Sequence, residues 1–197
     1  KKEGFELDAG SAELLAILAD GSFRNALGEL QKVLNFIGAD KKTRLDSARQ
    51  VKREDIEKIT GAPKTTLVNN VLEAIAKGEL EQGIAVVQQA ASESLDMRLF
   101  FKLIIAKFRM AIILRYAPKL KDEMSGDLGE ADIEFLENLV KEDPEGKQAS
   151  YGAGKKATVF NSLSLSILLE QYQNIDNAFI AELPLELALV KIIAKES

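Results

Sequence analysis

The stretch DGSFRNALGELQKVL, Asp20 to Leu34, decides how the chain is read. Its apolar residues Phe23, Ala26, Leu27, Leu30, Val33 and Leu34, continued by Ile37, recur at spacings of three and four. That is a helical period, and it draws an apolar arc of about 120° on a helical wheel, which must pack on something. Asp20 and Gly21 break the periodic segment before it, and Ser22 offers the side-chain oxygen that an N-cap needs. Arg24 does not fit this account. It stands in the first turn and off the apolar arc, where the positive end of the helix dipole disfavours a cation.

Working outward, the same period recurs almost everywhere. Upstream, a helix is expected from about Ser11 to Ala19, with Ala12, Leu15, Ala16 and Ala19 on one side. Downstream, Gly38 ends the Phe23 helix, and the charged connector ADKKTRLDSARQ reads as a loop. A short helix over Arg53–Thr60 closes at TGAP, where Gly61 suits a helix end and Pro63 punctuates. A domain boundary is placed there, giving residues 1–62 and 63–197.

In the second part, helices are expected over 65–76, closed by Gly78, and over 80–91. A long one, capped by Asp96, carries apolar residues on nearly all sides between Leu99 and Leu114 and should be the buried centre. Pro118 stops it. The segment 121–130 reads as a loop, 131–141 as an amphipathic helix, and EDPEGKQASYGAGKK as a flexible turn. Helices over about 157–173 and 185–194 complete an all-α chain. SLSLSIL alternates like a strand, but its surroundings favour helix. No internal repeat is present.

Composition removes whole classes of chemistry. The 197 residues contain neither cysteine nor histidine. There is thus no disulfide framework, no thiolate or imidazole metal site, and no Ser-His or Cys-His nucleophile. A chain of this length can bury roughly 70% of its unfolded surface, so a core needs no covalent staple. No apolar run is long enough to span a bilayer, and a cytoplasmic, non-membrane protein is expected. Beginning at Lys1 rather than Met, the chain reads as a piece of a longer one.

Net charge is −5. Of 26 basic and 31 acidic residues, Lys1 to Ala62 carry 11 of each, which leaves 15 basic and 20 acidic for the remainder. Broad nucleic-acid binding by that acidic part is not expected. YGAGKKAT lacks the spacing and the final Ser/Thr of a phosphate loop and reads as a linker. Arg98, Lys102 and Arg109 fall within about 40° of one another at roughly 100° per residue. That stripe faces a partner subunit or nucleic acid, or it is solvated or paired with acids on neighbouring helices. ELPLELALVKI reads first as an amphipathic helix with Pro184 near its start.

DGSFRNALGELQKVL also resembles the lid-helix signature of AAA+ ATPases, most closely that of the bacterial clamp-loader family, the DNA polymerase III gamma/tau subunits. GSAELLAILADGS is similar to that family's lid helix, and VKREDIEKITGAP to the segment closing its lid domain. The stretch from Val71 to Leu114 resembles the start of its collar domain, and AELPLELALVKI the closing collar helix. Asn25 stands where the family usually has Asp.

The resemblance implies a small AAA+ lid domain followed by a helical-bundle collar. It implies that Arg24 is the second sensor, reaching the γ-phosphate of ATP, with Gly21 and Ser22 making the turn that aims it. Such a role would explain the cation, because the compensating anion is the nucleotide.

By the same resemblance the parent protein uses ATP and Mg²⁺. Its partners would be further gamma/tau copies, delta and delta prime, with the sliding clamp and primer-template DNA met through the assembly. The ATPase core is not in this sequence, which has no P-loop and no acidic Mg²⁺ motif, so this region alone is not expected to hydrolyse ATP. Arg98, Lys102 and Arg109 would be candidates for the inter-subunit face. The alternatives are the lid and oligomerisation region of another AAA+ replication or repair ATPase, and a free-standing helical scaffold that binds proteins.

Overall fold

The computed structural model describes residues 5–39, 49–121, 129–142 and 158–194. Among them are nine α-helices, and the fold is all-α apart from one pair of three-residue strands. The chain divides into two compact units, Lys1–Lys64 with Asp122–Ile133, and Thr65–Lys121 with Glu134–Ser197.

In the first unit β1 (Phe5–Leu7) leads to α1 (Ala9–Leu18) and α2 (Phe23–Ala39), and β2 (Arg49–Val51) leads to α3 (Arg53–Thr60). Asp8 caps α1 by accepting the Ser11 N–H at 2.6 Å. Gly61 ends α3 in the left-handed region at φ 71°. The strands run parallel, with Phe5 opposite Arg49 and Leu7 opposite Val51. The sequence reading expected no strand. Three residues are too few to show a period of two, and their partners lie more than forty positions away. Buried Ser11 donates its hydroxyl to the Val51 carbonyl at 3.0 Å and ties α1 to β2.

Two expectations about faces need correction. On α1 the buried side is Ser11, Leu14, Leu15 and Ala19, whereas Ala12 and Ala16 are exposed. Alanine carries too little apolar area to decide which side turns inward, and the leucines decide it. On α2 only Val33 of the apolar arc is fully buried. Phe23 is 80% and Leu27 50% exposed, while Ala26, Leu30, Leu34 and Ile37 are half-buried, so the arc is only partly covered among the described residues.

The second unit holds α4 (Thr65–Lys77), α5 (Leu80–Ser92), α6 (Met97–Tyr116), most of α7 (Glu130–Glu142), α8 (Ser162–Gln173) and α9 (Leu183–Ile193). Short 3₁₀ turns cover Pro118–Leu120 and Ile175–Asn177. As expected, α6 is the centre: Phe100, Phe101, Ile104, Phe108 and Ala111 are wholly buried, and it packs on α4 and α8. Asp96 caps it through the Leu99 N–H at 3.0 Å.

Phe108 meets Phe160 with ring centroids 4.9 Å apart, and Phe101 meets Tyr172 edge-on at 5.7 Å. Gly83 on α5 lets α4 and α9 come close, because a Cβ there would lie 3.2 Å from Leu189 and 3.4 Å from Ala74. The SLSLSIL segment is helical, but α8 starts only at Ser162, where Asn161 caps it by accepting the Ser164 N–H at 2.9 Å. Val159 and Phe160 precede the helix.

Of the connector ADKKTRLDSARQ, expected to be a loop, Ala39 is the last residue of α2 and Arg49 and Gln50 belong to β2, whose distant partner no local pattern marks. Residues 40–48, like 122–128 of the 121–130 loop and 143–156 of the EDPEGKQASYGAGKK turn, lie outside the described residues.

Candidate functional site

The site begins as a turn between two helices. Ala19, Asp20, Gly21 and Ser22 close a β-turn in which the Ser22 N–H donates to the Ala19 carbonyl at 2.9 Å. Both central residues are left-handed, Asp20 at φ 50° and Gly21 at φ 76°. That φ pair marks a type I′ turn, for which Asp-Gly is a favoured sequence. Any residue with a Cβ is strained at Gly21, although nothing lies near enough to clash.

Ser22 then caps α2. Its hydroxyl accepts the Asn25 N–H at 3.3 Å, and its carbonyl accepts the Ala26 N–H at 3.0 Å. Arg24 is therefore the second residue of the helix. It is exposed, and among the described residues it has no hydrogen-bond or ion-pair partner. A guanidinium so placed, beside a helix N-terminus, is complementary to a phosphate or carboxylate brought from outside. Asn25 adds a bond that the sequence reading did not find. Its side-chain amide donates to the Ala19 carbonyl at 3.5 Å, so one carbonyl receives both Ser22 and Asn25.

A second polar cluster lies within the same unit. The Arg53 Nη1 faces Glu13 at 3.1 Å, the Gly10 carbonyl at 3.3 Å and Asp132 at 3.5 Å. Its Nε lies 3.4 Å from Glu57, close enough for an ion pair but outside hydrogen-bond alignment. All four side chains are largely buried. Arg53 looks in sequence like an ordinary first-turn residue, and nothing local marks Glu13 or Asp132 as its partners. Among the described residues no group of three or more acids is arranged to hold a metal ion, and here a guanidinium occupies the centre.

The basic stripe of α6 does not stay together as one free face. Arg98 is ion-paired with Asp176 and lies over the Tyr172 ring at 5.1 Å, inside its own unit. Lys102 is half-buried and engaged. Arg109 is exposed and has no partner among the described residues. Lys107, from the same basic run, is 3% exposed; it donates to Asn69 Oδ1 at 2.9 Å and lies 5.8 Å from the Phe135 ring centre. Lys121 hydrogen-bonds Glu137 at 2.6 Å and holds its carboxyl below the ordinary range.

Exposed apolar surface gathers instead at the end of the chain. Phe179 is fully exposed, Ile180 is exposed beside it, and Leu183 and Leu187 continue along one edge of α9. These last two lie four residues apart on one face of the helix.

No protein-family model and no curated protein matches the chain. Among solved structures, it is similar to the Bacillus subtilis DNA clamp loader delta protein (YqeN), with a TM-score of 0.51 and 14% sequence identity. The chain has a clamp-loader-like fold. The likeness covers 98% of this chain and 52% of that one, so the chain spans about half the length of the protein it matches. At 14% identity the clamp-loader likeness is one of fold. No helix of the described residues is long and apolar enough to cross a membrane.

Proposed function

We propose that this chain is the lid and collar region of a clamp-loader motor subunit of the gamma/tau type. The observation that carries the reading is Arg24: an exposed cation without a partner among the described residues, presented by an Asp-Gly turn at the start of a helix. A clamp-loader-like fold over 98% of the chain supports it.

In this reading Arg24 donates to the γ-phosphate of ATP held by an ATPase core, with ATP and Mg²⁺ belonging to the parent protein. Contact made in one nucleotide state only is what allows a ligand to shift a conformational equilibrium. The second unit serves as the collar, meeting other loader subunits. Through the assembly the parent would act on a sliding clamp and primer-template DNA.

The inter-subunit face of the collar is then best supplied by Leu183, Leu187 and Phe179, with Arg109 as the remaining basic candidate. An apolar strip of this kind is suited to burial against a neighbour. Leu187→Glu is expected to weaken subunit association at least about tenfold, as loss of a buried anchor does. Sedimentation of the assembled loader checks this, and an unchanged assembly would remove α9 from the interface.

In the full-length protein, Arg24→Ala is expected to slow ATP-dependent clamp loading about tenfold to a hundredfold, the range of one charge-assisted hydrogen bond. Assembly should persist. Unchanged loading would refute the sensor role, and loss of assembly would refute the separation of the two roles. A second reading, a delta-type subunit, is favoured by the solved structure that the chain resembles. It is distinguished by Arg24→Ala leaving nucleotide response untouched.

A further inference from the structure

We infer that the exposed strip of α9 is a seam for a second copy of this chain, the two α9 helices lying side by side and parallel. The inference rests on the placement of the inter-subunit face at α9 in the reading above. α9 is apolar on two sides. Pro184, Leu185, Ala188, Leu189 and Ile192 are buried, and the helix packs on α5 and α8 within its unit. On the other side Leu183 and Leu187 are exposed, Val190 is half-buried, and Ala194, which ends the helix in helical backbone, is exposed. These four follow one another at spacings of four, three and four. That is the repeat by which two helices coil about each other.

The charges of α9 select the occupant. Glu186 and Lys191 are its only charged residues. At about 100° per residue they stand about 70° to either side of the centre of the strip, so one flank is acidic and the other basic. When such a helix lies parallel to a copy of itself, the acidic flank of each faces the basic flank of the other, and the residues that meet are about five positions apart. Glu186 and Lys191 have that separation, in the order that brings them together. Two-fold symmetry makes the contact twice. In an antiparallel pair each flank meets its own kind, Glu186 facing the partner's Glu186, and like charges oppose each other.

Forming the pair sacrifices little inside the unit. Glu186 accepts from the Gln88 side-chain amide at 3.4 Å, and Lys191 lies 3.7 Å from Glu170. Both contacts are exposed and long, the class that contributes least to stability. Phe179 and Ile180, exposed just ahead of α9, come to the same end of a parallel pair from both copies and lengthen the apolar contact.

The test measures self-association of the whole chain by sedimentation equilibrium, alongside Glu186→Lys, Lys191→Glu and the double exchange, with melting temperature followed to confirm folding. The chain is expected to dimerise as its concentration rises. Each single reversal should weaken the dimer about fivefold to fiftyfold, because two attractions become two repulsions at exposed ion pairs, and the double exchange should restore it. The sequence has no cysteine, so Ala194→Cys supplies a lone thiol. Mild oxidation should link that thiol to its counterpart, and adding Leu187→Glu should suppress the link. In an antiparallel pair the two thiols would stand at least about 16 Å apart along the axis, too far for a disulfide.

A chain that stays monomeric at every concentration refutes the inference. If Leu187→Glu nonetheless weakens the assembled loader, a different subunit covers the strip and the collar reading stands. A dimer indifferent to the charge exchanges, or one in which Ala194→Cys does not link, is built on another face or in another orientation and equally refutes the seam. If the chain stays monomeric and Leu187→Glu leaves the loader intact, α9 is no interface and both readings of it fail.

Discussion

Arg53→Ala is expected to destabilise the first unit by about 3–5 kcal/mol, the cost of removing one partner from a buried charge cluster. The guanidinium is the shared partner of Glu13, Glu57 and Asp132, and it also bonds the Gly10 carbonyl near the start of α1. Truncation leaves three poorly solvated carboxylates near one another and a carbonyl short of a donor. Their mutual repulsion acts in a medium of low dielectric, where charges are screened far less than at the surface.

The partners come from α1, α3 and the first turn of α7, so three elements lose their common tie. Arg53→Lys should recover only part of the loss, because an ammonium cannot copy the planar fork. Arg53→Met combined with Glu13→Gln, Glu57→Gln and Asp132→Asn should be far milder than Arg53→Ala, since it removes the charges together instead of stranding them. Urea unfolding measures the total, and amide exchange in α1 and α3 shows where it falls. A change below about 1 kcal/mol would mean that water already screens the cluster, as at exposed ion pairs.

The second large effect is expected at Phe108. Its side chain is wholly buried at the centre of the second unit, tilted 40° against Phe160. Phe108→Ala should cost about 3–5 kcal/mol, combining lost transfer energy with the cavity left behind. Phe160 stands just before the start of α8, outside any helix, and cannot follow Phe108 inward without moving the Asn161 cap. Collapse of the cavity is therefore hindered, which places the cost toward the upper part of the range. Phe108→Leu should cost distinctly less. Denaturant midpoints give the magnitude. Faster amide exchange confined to α6 and α8 would locate it, and an effect under about 1.5 kcal/mol would show that α6 is not the central support.

The candidate site was partly legible in the sequence. Ser22 as a cap and the break at Asp20-Gly21 are local facts, written by a hydroxyl at a helix start and by a dipeptide suited to left-handed backbone. Arg24 stood out because a first-turn cation runs against the helix dipole. The bond from the Asn25 amide to the Ala19 carbonyl did not stand out, since its acceptor belongs to the preceding helix. The Arg98 stripe shows the opposite case. A helical wheel groups Arg98, Lys102 and Arg109 correctly, yet only the packed neighbours supply Asp176 and Tyr172 to one member and leave Arg109 exposed.

What the sequence by itself determined is the set of helices and those of their ends that a local cap or glycine marks, whereas the start of α8 at Ser162 was not among them. Periods of three and four, Asp96 as a cap, and Gly61 and Gly78 in left-handed backbone are properties of neighbouring residues, and they keep their meaning in any fold. What only the tertiary structure decided is which faces are covered and which distant groups meet. Examples are the parallel pairing of Phe5–Leu7 with Arg49–Val51, the three acids around Arg53, Lys107 hydrogen-bonded within the interior, and the uncovered Phe23 and Leu27. The physical reason is one of range: hydrogen bonds along a helix close within four residues, whereas burial and ion pairing depend on partners that sequence order does not place side by side.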